Sequence, residues 1–95
     1  MTNSNLLIRA ALQIALLGAV TPNLRGVNAL IQGQNLIIKF YYEHPPDEEE
    51  EDLAEIVGTE VYASLVDFQV EVMVEILPKS VILPEEGLRV YHRQE

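Results

Sequence analysis

The sequence predicts an α+β fold, a two-layer sandwich in the order α-β-β-α-β-(β), with two helices on one face of a mainly antiparallel sheet. Three observations lead there. Two segments carry apolar residues at helical spacing, near 4–17 and 46–65, and the second opens on prolines and acids. Three segments alternate apolar and polar residues with the period of two that marks a strand. Helices with wide apolar faces need a sheet face to cover, and a single two-layer unit is the economical way to provide one. The 95 residues are expected to form a single domain, 1–95, and 48% apolar content is enough for one core.

From Ser4 to Leu17 the polar positions Asn5, Arg9 and Gln13 fall four apart, a narrow polar stripe on a helix expected to be buried over most of its girth. Ser4 or Asn3 can cap its start and Gly18 can close it. "TPN" at 21–23 reads as a turn. A hairpin follows: Val27, Ala29 and Ile31 alternate with Asn28, Leu30 and Gln32, and Gln32-Gly33-Gln34-Asn35 supplies the flexible turn. In the second arm Leu36, Ile38, Phe40 and Tyr42 are expected to face the core, with Ile37, Lys39 and Tyr41 on the other side. Pro45 and Pro46 stop that strand, and Asp47 with Glu50 resembles a capping box for a helix over about 46–65. Phe68, Val70, Val72, Val74 and Ile76 then mark the dry face of a third strand. "KSVILPEEG" reads as a loop, and "LRVYHR" as a last edge strand.

Charge narrows the function. Fifteen acids against six Lys and Arg give a net charge of −9. Such a surface repels phosphate backbones and anionic membranes, which argues against nucleic-acid and membrane partners, and it attracts basic proteins. With no cysteine, thiol chemistry and cysteine-based metal sites are excluded, in keeping with a reducing compartment. The N-terminus has no positively charged region ahead of its apolar run, and Arg9 interrupts that run, so a cytoplasmic protein is expected.

Signs of catalysis are few. The phosphate-binding patterns G-x-x-x-x-G-K-[ST] and G-x-G-x-x-G are missing. His44 and His92 lie on different elements without ligand spacing, and Ser4, Ser64 and Ser80 have no neighbouring base. Glu60, close to the apolar stripe of the second helix, is the one carboxyl whose pKa burial could raise. The expectation is a non-enzyme without cofactor or metal.

Two surfaces are candidates for binding. "YYEHPPDEEEED" at 41–52 is the first. Acids at a helix N-terminus are favoured by about 0.3–1 kcal/mol each, which accounts for Asp47 to Glu50 without any function. It accounts poorly for Glu51, Asp52 and Glu55, since crowded like charges repel. Glu48, Glu49, Glu51, Asp52 and Glu55, with Tyr41 and Tyr62 as aromatic anchors, form the candidate face for a basic partner. The second surface is the sheet face away from the helices, expected to be left open, with Leu30, Ile37, Lys39, Tyr41 and Met73 among Gln69, Glu71 and Glu75. Lys39 can pair across strands with Glu71 or Glu75. Four large apolar or aromatic side chains there suggest a face that is covered part of the time. Self-association as a homodimer through Ile37, Lys39, Tyr41 and Met73, or through the edge strand near Arg89 to Arg93, is the alternative function.

The stretch "LLGAVTPNLRGVNALIQGQNLIIKFYYEHPPDEEEEDLAEIVGTEV" resembles a group of short acidic bacterial proteins. They share a "TPNLR" turn (Thr21 to Arg25), a hairpin ending in "FYY" (Phe40 to Tyr42), a proline-acid helix start (Pro46 to Glu51) and a "VY-R" end (Val90 to Arg93). The resemblance implies a small immunity protein of contact-dependent growth inhibition, one that neutralises a toxin by binding it. Its motifs are structural in character and supply no catalytic residue.

Overall fold

In the computed structural model, which describes residues 4–95, two helices cover one face of a four-stranded sheet and a strap of chain covers the other. The elements are α1 (Ser4–Ala15), β1 (Leu24–Gln32), β2 (Asn35–Tyr42), α2 (Glu48–Ser64), β3 (Gln69–Ile76) and β4 (Leu88–His92). Asn3 and the side chain of Ser4, the two candidate caps of α1, lie outside the described residues. The sheet order is β3-β2-β1-β4. β1 pairs antiparallel with both β2 and β4, and β2 pairs parallel with β3. The parallel pair follows from the order of elements: α2 separates β2 from β3 and carries the chain back to the end at which β2 began.

The hairpin alternation reads correctly. Val27, Ala29, Leu36, Ile38, Phe40 and Tyr42 are buried with Val57 and Val61 of α2 and Ile8 and Leu12 of α1 in one core. The Phe40 and Tyr42 rings stack at 6.3 Å. Burial, with Glu50 nearby, pushes the Tyr42 hydroxyl up to about 12. The capping box at α2 is also present: Asp47 accepts from the Glu50 amide at 2.8 Å, and Glu50 accepts from the Asp47 amide at 3.1 Å.

Three expectations need correction. First, α1 is buried along one stripe only, through Ile8, Leu12 and Ala15, continued by Leu16 and Ala19 in the following turn. Ile14 is 69% exposed and Leu17 79%, with Leu6 and Leu7 also outside. The helix sits at the margin of the layer, against α2 and β4, so it has neighbours on one side. Second, the dry face of β3 is only half dry. Val70 and Val72 pack on the core, but Val74 and Ile76 are exposed, because β3 is the sheet edge. Third, the sheet face opposite the helices, expected to be open, is open only along β3, where Gln69, Glu71 and Met73 are exposed. Residues 77–87 cross it and bury Tyr41 and Leu83.

Gly87 ends that strap in a left-handed conformation, φ +67°. A Cβ there would lie 2.4 Å from the Ala29 carbonyl oxygen. Gly87→Ala is therefore expected to destabilise the fold by on the order of 2–3 kcal/mol, from backbone strain plus a clash that the sheet cannot relieve. Urea unfolding of the variant beside the parent measures it.

Candidate functional site

Two regions gather the chemistry of the molecule: a buried polar clamp under the strap, and an acidic groove between α2 and β3.

The clamp begins with an irregularity in the sheet. Between Leu24 and Gly26 the β1–β2 register shifts by one residue, so Arg25 is extra. A bulge re-aims a side chain, and here it turns Arg25 towards the strap side. Arg25 is only 2% exposed. Its Nη1 donates to the carbonyls of Leu77, Pro78 and Val81 at 3.0, 2.9 and 2.8 Å, and its Nε and Nη2 hold both oxygens of Glu95 at 2.8 Å. This planar two-pronged grip is what a guanidinium provides and an ammonium cannot. Arg93 joins Glu95 at 2.7 Å and Glu43 at 2.8 Å. The Arg25 hydrogen bond, helped by Arg93, holds the Glu95 carboxyl at about 2, well below the usual range. Further along the strap, Asn28 donates to the carbonyls of Pro84 and Glu86, and Arg89 donates to Asn28 and Pro84. Lys39 pairs with Glu86 at 2.9 Å and with Glu75 at 3.3 Å. Tyr41 donates to Glu86 at 3.2 Å.

Every polar residue of the "TPNLR" turn has a task in this arrangement. Thr21 and Asn23 donate to Glu50, Asn23 exchanges hydrogen bonds with the backbone of His44, and the Pro22 carbonyl accepts from Arg93. The turn therefore ties the start of α2 to the C-terminal strand.

The groove has a different character. One hollow of about 400 Å³ is lined by Glu51, Asp52, Ala54, Glu55, Val72 and Val74, with Pro46 at its end. A second, of about 210 Å³, shares Glu55 and Val72 and continues past Gly58 and Thr59 to Tyr62 and Val70. The close approach at its centre depends on Gly58, since a Cβ would meet Val72 Cγ2 at 2.5 Å. Glu48, Glu49, Glu51, Asp52 and Glu55 are all exposed, and none takes part in an ion pair among the described residues. The acids are also segregated along the chain. All fifteen lie at or after Glu43, while residues 1–42 hold three bases and no acid.

Measured against the sequence reading, the groove unites Glu51, Asp52, Glu55 and Tyr62, and Tyr62 is 54% exposed. Tyr41, expected at a surface, is fully buried with its hydroxyl engaged, so it offers no anchor to a partner. Ile37 and Lys39 are half-buried, with Lys39 held by Glu86 of the strap, and Met73 is partly exposed, so the strap takes part of the proposed self-association face and leaves its β3 side uncovered. Glu60 is exposed, so it lacks the dry pocket in which a general acid works. The described residues contain no group of three or more His, Asp and Glu able to hold a metal. No described helix is long and apolar enough to cross a membrane. The reading missed Arg25, Asn28 and Val74. The apolar count of the supposedly open face was a usable signal for the first two, since a face with Leu30, Ile37, Tyr41 and Met73 needs a cover.

A family model described as MafI2 immunity protein matches residues 5–95, nearly the whole chain, and the chain belongs to that family. The comparison with curated proteins found no match. The immunity-protein resemblance of the sequence motifs is thereby borne out, and membership implies an immunity role with a toxin as partner. Such families are generally non-catalytic.

Because the Glu95 carboxyl is held at about 2 against an ordinary 4.5, its clamp adds stability that is complete above about pH 4.5 and is lost as the pH falls towards 2. Glu95→Gln is expected to melt lower than the parent at pH 7, with the difference closing between about pH 4.5 and 2. Thermal melts across that range test it. Arg25→Met, which takes the guanidinium donor from the carbonyls of Leu77, Pro78 and Val81 and leaves only Pro78 a second donor, the Val81 amide, is expected to cost on the order of 2–3 kcal/mol in urea unfolding at neutral pH.

Proposed function

We propose that this member of the MafI2 immunity protein family neutralises its toxin by covering a basic surface of it with the acidic face of α2, with no chemical step of its own. The observation that carries the reading is the distribution of counter-charge. Arg25, Lys39 and Arg93 are engaged in ion pairs inside the fold, and Arg89 is held by Asn28 and the strap. The acids of α2 have no such partner, so the field of the molecule points outward from that helix. A basic toxin surface would be drawn to it and held in register by it. Glu51, Asp52 and Glu55 form the centre of the docking surface, Glu48 and Glu49 its rim, and Tyr62 the aromatic anchor. An enzyme that binds or cuts nucleic acid presents the kind of basic cleft this face would fill. The protein would act in the cytoplasm, where an incoming toxin meets its target.

The test is the affinity for the purified toxin domain whose killing this protein relieves on co-expression, by calorimetry at two salt concentrations. Reversing three charges together, Glu51→Lys, Asp52→Lys and Glu55→Lys, is expected to raise Kd by on the order of ten- to a hundredfold at low salt and by less at high salt. All three positions are exposed, so the melting temperature should hold or rise. Undiminished affinity in the triple variant would take α2 out of the docking surface.

A further inference from the structure

The position of β3 in the sheet bears on how the partner is held. Its neighbour on one side is β2, and among the described residues no strand pairs with its other side. The Gln69 amide donates to the Gln34 carbonyl and the Leu77 amide to that of Tyr42, each at 2.8 Å. Odd-numbered residues of β3 therefore turn their amides and carbonyls towards β2. By the alternation of a strand, Val70, Val72, Val74 and Ile76 turn theirs outward. The edge runs eight residues, in unbroken register with β2 and without proline, lysine or a bulge. These are the devices with which sheets usually guard such an edge. The opposite edge, β4, is five residues long and has a register shift.

The side chains of the outward-facing residues line the acidic groove. Val70, Val72 and Val74 form its floor, and Glu51, Asp52, Glu55 and Tyr62 stand above them on α2. On the other face of β3, Glu71 is exposed, and Glu75, which pairs with Lys39, is partly so. Acids thus flank the edge on both faces. Two copies of this edge cannot approach without bringing like charges together, whereas a basic strand meets opposite charge on each side. The spacing also suits a strand. Alternate residues of a strand are about 7 Å apart, and successive turns of a helix about 5.4 Å. Two basic side chains at positions i and i+2 of an added strand would reach the Glu51–Asp52 pair and Glu55 in turn, and the next such position would meet Tyr62 and Val70.

We propose that β3 takes an extended segment of the toxin as a fifth strand, with Lys or Arg at two successive alternate positions beneath α2 and an apolar residue at the third. The inference rests on the immunity reading above and specifies its contact surface. Main-chain hydrogen bonds from the even-numbered residues hold the segment, and the groove selects its side chains.

Amide hydrogen exchange of the full chain, alone and saturated with that same purified toxin domain, tests it. The amides of Val70, Val72, Val74 and Ile76 should exchange freely in the lone chain and slow at least tenfold in the complex, and those of Glu71, Met73 and Glu75 should be slow in both. Val74→Pro, which removes one outward amide and no bond to β2, should raise Kd at least tenfold, while Val74→Thr should bind as the parent does. A parent that binds the toxin without slowing the four amides overturns the added strand and leaves the immunity reading standing. A parent that does not bind that toxin overturns both. Slow exchange of the four amides in the lone chain at high concentration would give the edge to a second copy and overturn the proposal.

Discussion

The buried guanidinium of Arg25 is the constraint on which the architecture turns. A four-stranded sheet with helices on one side leaves its other side to be covered, and here eleven residues without regular secondary structure, 77–87, cover it. Such a segment has backbone carbonyls that must be satisfied once water is excluded. Arg25 satisfies three of them and grips the chain's last residue with its remaining donors. The bulge in β1 sets this in motion, because without it the alternation of the strand would turn Arg25 towards the helices, away from the strap carbonyls and Glu95.

A second consequence concerns charge. Holding the strap consumes bases: Arg25, Lys39, Arg89 and Arg93 all point into the structure or along its seams. The acids placed at α2 are not drawn into those pairs. The segregation of charge on the surface thus arises from how the fold is fastened as much as from composition. A protein of the same net charge with its bases spread over α2 would present a weaker and less directed field.

The family motifs take on physical meaning in the same terms. "TPNLR" and "VY-R" are far apart in the chain and adjacent in space, joined by Arg93 on the Pro22 carbonyl and by Arg25 with Glu95. The proline-acid start of α2 belongs to the same seam, since Glu50 closes the capping box and accepts from Thr21 and Asn23. These signatures describe how this fold is closed. The docking surface proposed above lies beside them, on the exposed turns of α2 and the edge of β3.

Periodicity and capping were enough to place all six elements, the hairpin register face and the start of α2, because each is decided by neighbours a few residues apart in the chain. The acidic face of α2 was legible for the same reason: helical spacing puts Glu51, Asp52 and Glu55 on the surface whatever lies underneath. The burial of Tyr41, the half-exposed face of β3 and the exposed flank of α1 could not be read this way. Alternation says which side of a strand a residue occupies, and only the packing of distant segments says whether that side is covered. Arg25 is the clearest case. In sequence it is a polar residue at a strand start, and a one-residue bulge together with partners more than fifty positions away makes it the most completely engaged side chain of the clamp.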